Sequence, residues 1–204
     1  MTARIHRAFE FQAGVHFNNS FYMNSYEIDA DFIVESESIR EQNIALERIK
    51  FFLHECLEHS IFIQDIETSA IEKYIEANLK VCVLPEEPYD QIIGIMLMVK
   101  LNSIAEGKIA ITDLAISSKI SDGVSCLCSV EENVGPFKLP GWWNENNTKI
   151  SNVLTSGKGK KILKLVKPHV DWEDVFLSWE EKKDLPKQSP SAEIVFGSFP
   201  DKNK

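Results

Sequence analysis

Apolar and polar positions alternate in two early stretches of the chain. From Ile5 to Ala13, the positions Ile5, Arg7, Phe9, Phe11 and Ala13 share one side, a period of two that predicts a half-buried strand. From Tyr26 to Glu35, Tyr26, Ile28, Ala30, Phe32 and Val34 share one face, and Glu27, Asp29 and Asp31 the other. Only HFNNSFYMNS lies between the two runs, so an antiparallel hairpin is the economical arrangement.

The period then changes. Between about Ser38 and Glu58, Leu46, Ile49, Leu53 and Cys56 recur at steps of three and four, flanked by Ala45 and Phe52, which predicts an amphipathic helix. In residues 61–87, IETSAIEKYIEANLK suits a short helix and VCVLP a short extended piece before a turn at PEEP. The run DQIIGIMLMVKLNSIAE is apolar nearly all round, which favours a second, packed helix over a buried strand. GKIAITDLAIS and GVSCLCSV read as two further strands. The order is ββααββ, an α+β architecture: an antiparallel sheet of two hairpins with two helices on one face.

That unit is expected over residues 1–135, with a C-terminal extension over 136–204. The extension opens with the irregular PFKLPGWWNENNTKIS and holds all four tryptophans. TSGKGKKILKLVK concentrates Lys158, Lys160, Lys161, Lys164 and Lys167, the pattern of a solvated face or an anion site. In DWEDVFLSWEE, Trp172, Val175, Phe176 and Trp179 follow the stripe of a short amphipathic helix, suited to docking on the body or to holding a partner. A charged tail with a few strand-forming residues closes the chain.

Composition narrows the partners. With 204 residues, 44% of them hydrophobic, the chain can bury one good core. A net charge of -9 and a pI near 5.1 make nucleic acid a poor partner. No window approaches the roughly 18 apolar residues of a membrane helix, and MTARIHRAFEFQAG does not read as a secretion signal, so a cytoplasmic protein off the membrane is expected. Cys56, Cys82, Cys126 and Cys128 match no zinc-finger or redox spacing and read as reduced, buried thiols.

HECLEH at 54–59 looks like the HExxH helix of a metalloprotease but is one residue too long. On a regular helix, His54 and His59 stand roughly 140° apart and cannot easily share an ion. His54 falls on the polar side among Glu47, Lys50 and Glu58, and His59 continues the stripe of Phe52 and Cys56, so His59 is expected to point inward.

The element order and four short motifs resemble the tunnelling-fold enzymes, most closely the 6-pyruvoyl- and 6-carboxytetrahydropterin synthases. FQAGVH (Phe11–His16) is similar to the family's FSASH, whose histidine is a zinc ligand. Leu57, Glu58 and His59 echo an LDH helix end whose acid and histidine assist proton transfer. Pro88, Tyr89, Asp90 and Gln91 stand where the family has TTEN, and Asp113 in KIAITD stands where an acid grips the pterin edge. The resemblance covers about residues 5–133 and implies a catalytic pair His59 and Glu58, ligand contacts from Asp113, Asp90 and Gln91, and a homo-oligomer.

Tyr22, Met23, Asn24, Ser25 and Tyr26 replace the HGHNY motif that carries the other two zinc ligands, and the loop from Phe17 to Ser25 lacks the family's cysteine. His16 alone cannot hold zinc, which takes about four ligands. Zinc and other cofactors are therefore not expected, and neither is zinc-dependent synthase activity. Binding of a pterin- or purine-like molecule without the zinc chemistry is the leading expectation. The alternative is a non-enzymatic interaction or assembly module that uses the Trp- and Lys-rich extension.

Overall fold

The computed structural model describes residues 3–129, 134–151 and 170–180. The lysine cluster at 158–167 and the tail lie outside these residues.

Strands β1 (Arg4–Phe17) and β2 (Ser20–Val34) form one long antiparallel hairpin. Both run well into the stretch expected to be a loop, because Asn18 and Asn19 alone make the turn, with φ of 49° and 56°. Asparagine tolerates that left-handed region, and such a two-residue turn matches the strand twist. Phe11 and Ala13 on β1, and Tyr26, Ile28, Ala30 and Phe32 on β2, fill the inner face.

Helix α1 (Ile39–Phe51) starts at Ser38, whose side chain accepts the Glu41 amide N–H. It runs without a break into a π-helical turn, Phe52–Leu57. Then come β3 (Ser60–Gln64), α2 (Thr68–Glu76) and β4 (Lys80–Leu84), followed by α3 (Asp90–Ala105), β5 (Ile109–Ser118) and β6 (Ser125–Ser129). The sheet is six-stranded and mixed, in the order β4-β3-β1-β2-β5-β6.

The fold is α+β, but ββααββ is too simple. Strand β3 pairs in parallel with β1 and with β4, and α2 makes the crossover. Alternate residues of β4 serve two cores. Cys82 and Leu84 join the main one, while Val81 and Val83 join a small cluster with Ile63 and Ile71. Helix α2 therefore covers the sheet face opposite α1 and α3, so the helices are not all on one side. SIFIQ is buried on both faces and shows no alternation to betray it, whereas KVCVL falls on the stretch expected to be extended.

Helix α3 lies so close to the sheet that a Cβ on Gly94 would stand 2.8 Å from Ile116 Cγ2 and 3.0 Å from Cys128 Sγ. Its other side is covered by residues from the C-terminal extension. Lys100, fully buried on α3, donates from Nζ to the carbonyls of Trp142 and Glu145, both at 2.8 Å. The Trp142 indole donates to the Val83 carbonyl at 2.9 Å. Residues 170–180 pack on α1 around Arg48, which donates to the Leu177 carbonyl at 2.7 Å and to Glu106 at 2.6 Å. Its guanidinium lies 3.8 Å from the Trp179 ring centroid and 4.8 Å from that of Trp172.

Residues 172–176 form turns rather than the expected helix, and Phe176 has φ 60° and is 81% exposed. The carbonyls and rings that enclose Arg48 override the helical stripe. The described parts of the extension are docked on the body.

Arg48→Ala should destabilise the fold by about 3 kcal/mol, because Glu106 and two carbonyls lose a buried cation. Urea unfolding measures the loss, and limited proteolysis should cut near residue 177.

Burial pulls the Lys100 ammonium down to about 7 from its ordinary 10.5. Between these values the unfolded chain holds the extra proton, so this residue makes stability rise with pH above about 7, by up to about 1.4 kcal/mol per pH unit. Below about 7 both states are charged and its contribution is flat. Urea midpoints measured at neutral and alkaline pH should separate in the wild type, and Lys100→Met should reduce the separation.

Candidate functional site

At the turn end of the hairpin, Val15, Tyr22, Asn24 and Tyr26 share the inner face. With Phe17, Pro88, Tyr89, Asp90, Ile120 and Ser121 they line a cavity of about 280 Å³. That volume is near the lower bound of small-ligand pockets and suits one planar ring system. Phe17 and Tyr89 meet edge to face at 5.2 Å and form one aromatic wall.

Three polar groups converge there. Asn24 is 5% exposed, and its Oδ1 accepts the amide N–H of Ser25 at 3.0 Å and of Ile120 at 3.1 Å. With its oxygen occupied, the carboxamide offers its NH2 as donor. Asp90, in the first turn of α3, accepts the Ser121 hydroxyl, and Ser121 in turn meets Ser118 Oγ at 3.1 Å.

Tyr26 is fully buried, its ring stacked on Phe11 at 5.0 Å and edge-on to Phe62 at 5.7 Å. Its hydroxyl has no hydrogen-bond partner within 3.5 Å among the described residues, and the Asn24 side chain is its polar neighbour. Burial pushes this phenol far above its ordinary value; Asn24 opposes the rise and Asp90 adds to it. An orphaned buried hydroxyl costs about 1–3 kcal/mol.

Of the residues expected to act in catalysis or to contact a ligand, Asp90 lines this cavity and His59, Glu58, Asp113 and Gln91 do not. Gln91 is exposed on the next helical position. Asp113 lies in mid-strand on the outer face, opposite Asp31, because a bulge at Thr112 shifts the β2–β5 register. Glu58 accepts the Gln12 amide N–H at 3.1 Å.

His59 does not point inward. It has φ 59°, donates its amide N–H to the Gln12 carbonyl at 2.7 Å, and leaves its side chain 70% exposed. The π turn explains the error. The Glu58 amide bonds five residues back to Leu53, so angles from a regular helix do not carry through HECLEH.

His16 is also displaced from the site. In a five-residue FSASH, the first, third and fifth side chains share a face. FQAGVH is one residue longer, and the fifth position is Val15. His16 falls on the opposite face, where Nδ1 meets the Tyr74 hydroxyl of α2 at 2.9 Å and Nε2 is buried without a partner. Val15, Tyr22 and Asn24, which do come together, are not the imidazoles and thiolates that zinc favours. No three of His, Cys, Asp and Glu among the described residues are grouped to hold a metal ion. The sequence signal for Asn24 and Tyr26 was available: both are polar groups on the apolar face of β2.

No family model matches the chain, and no curated protein does. Solved structures resemble it. One is an uncharacterized protein from Wolinella succinogenes, at 13% identity and a TM-score of 0.46, over 64% of this chain and 99% of that one. Another is the 6-pyruvoyltetrahydropterin synthase of Plasmodium vivax, at 8% identity and a TM-score of 0.42, over 63% and 97%. A catalytic-residue mutant of that enzyme gives 8% and 0.41 over the same shares. Likeness at this identity concerns the path of the chain. Among the described residues, no helix is long and apolar enough to cross a membrane.

Tyr26→Phe removes the orphaned hydroxyl while keeping both ring contacts. It should stabilise the ligand-free protein by about 1 kcal/mol in urea unfolding, whereas an ordinary core tyrosine would lose stability.

Proposed function

We propose that this chain binds a pterin- or purine-like molecule in the cavity of Asn24, Tyr26 and Asp90, without zinc chemistry. The buried Tyr26 hydroxyl carries the reading: it makes no hydrogen bond within 3.5 Å and stands with Asn24 and Asp90 at an aromatic-walled cavity. A planar heteroaromatic ring has faces for Phe17 and Tyr89. On its edge, a carbonyl or ring nitrogen would accept from the Asn24 NH2, and N–H groups would donate to the Asp90 carboxylate, a charge-assisted bond.

The reading assigns no catalytic step to Glu58 and His59, since neither lines the cavity. The second reading, a tryptophan-rich partner surface, has less support. The Trp142 and Trp143 indoles donate within the body, Trp172 is buried, and Trp179 covers Arg48.

A thermal-shift screen of pterins, guanine nucleotides and related purines, with elemental analysis of the purified protein, tests the proposal. A stabilising ligand without stoichiometric zinc is expected. Asn24→Asp keeps the oxygen that holds Ser25 and Ile120 but removes the NH2, and Asp90→Asn keeps an acceptor for Ser121. Each should weaken binding about tenfold or more. If no compound shifts the melting temperature, or if both variants bind as the wild type does, the cavity is not the site.

A further inference from the structure

Exposure rises from the back of the candidate cavity to its mouth. Tyr26 is fully buried and Asn24 is 5% exposed, whereas Tyr22, Tyr89 and Ile120 are 49%, 54% and 56% exposed. Asp90 stands between them, half-buried in the first turn of α3. A volume of about 280 Å³ takes one ring system, so a substituent on that ring leaves through the mouth. The side chains it meets there are apolar and aromatic.

The charge along that path is negative. Asp90 is the one charged side chain that lines the cavity among the described residues. Glu87 stands beside the Tyr89 hydroxyl, and the exposed Asp122 follows Ser121 between β5 and β6. Lys119 precedes Ile120 in the chain but does not line the cavity. A phosphate or carboxylate carried out of the mouth by the ring would therefore pass carboxylates of its own sign. Like charges about 7 Å apart, partly screened by water, repel by enough to cost about tenfold in affinity.

We infer that the ligand of this cavity is phosphate-free: a planar heteroaromatic ring whose substituent is uncharged and apolar, with Asp90 both holding the ring edge and repelling anionic forms of the same ring. The inference rests on the cavity reading proposed above and narrows it. Specificity is a difference of affinities, and a fixed like charge supplies it against a competitor without any new contact to the favoured ligand. The apolar preference comes from Tyr22, Tyr89 and Ile120. Tyr89 is braced edge to face on Phe17 at 5.2 Å, so the aromatic wall continues from the cavity to its mouth. A free base or its aryl or alkyl derivative suits that path, and a nucleotide does not.

Titration calorimetry on matched probes tests this, without divalent cations, which would bridge a carboxylate and a phosphate. Guanosine is compared with guanosine monophosphate, and pterin with 6-phenylpterin and 6-carboxypterin. In each series the anionic member should bind about tenfold or more weakly than its neutral counterpart. 6-Phenylpterin should bind about threefold to tenfold more tightly than pterin. Asp90→Asn weakens the neutral rings but should bring neutral and anionic members to within about threefold of one another, and Ile120→Ser should narrow the gap between 6-phenylpterin and pterin. Anionic members that bind the wild type as tightly as neutral ones overturn the inference and leave the cavity as the site. A neutral-to-anionic ratio that folded Asp90→Asn does not change overturns the role of Asp90, and pterin binding as tight as that of 6-phenylpterin overturns the apolar preference. If no probe binds, the cavity reading falls and this inference with it.

Discussion

The register of the β1–β2 hairpin, set at the Asn18–Asn19 turn, is the constraint from which the rest follows. Side chains in a strand alternate with a period of two, and so do the directions of the backbone amides. One turn therefore decides three things together. It puts Phe11, Ala13 and Val15 inside with Asn24, Tyr26 and Ile28. It sends His16 to the face of α2, and it leaves the amides of Ala8 and Glu10 facing away from β2. A slip of one residue would exchange the core for Glu27, Asp29 and Asp31.

Burial of α3 is the second constraint. A helix apolar on every side needs cover on every side. The sheet supplies one side and α1 another, and the remainder falls to residues 137–143 of the extension. Buried cations hold that cover in place. Lys100 reaches two carbonyls and Arg48 reaches carbonyls, a carboxylate and two indole faces. Even with such partners an ammonium in a core is costly, which is why its proton is held weakly. The cations lend position to a segment with little regular structure of its own.

Most of the parts legible in the sequence were those whose pattern has a period. The hairpin, α1 and the β5–β6 pair were read as strands and helix, α2 as a short helix, and α3 from a run apolar nearly all round. What escaped has no period or breaks one. SIFIQ is buried on both faces, so nothing alternates. The bulge at Thr112 moves Asp113 into mid-strand. The π turn and the left-handed His59 turn an inward histidine outward. At the candidate site, Asp90 was reached through its motif position, but Asn24 and Tyr26 were seen only as replacements for other residues. Their meaning lies in where they sit: a carboxamide and a phenol on a strand face that elsewhere holds Ile28, Ala30 and Phe32.

That placement is what the proposed binding site rests on. A core gains most from apolar side chains, and phenylalanine would fill the place of Tyr26 without burying a hydroxyl. The hydroxyl lies next to a carboxamide whose oxygen is fully used and a carboxylate that opens a helix. Each group alone has a structural explanation: asparagine braces a loop, aspartate suits a helix N-terminus, and tyrosine stacks on Phe11. Together they leave an NH2, an OH and a carboxylate oxygen around one cavity whose walls are aromatic. Their convergence on one cavity is the ground on which the proposed ligand edge stands.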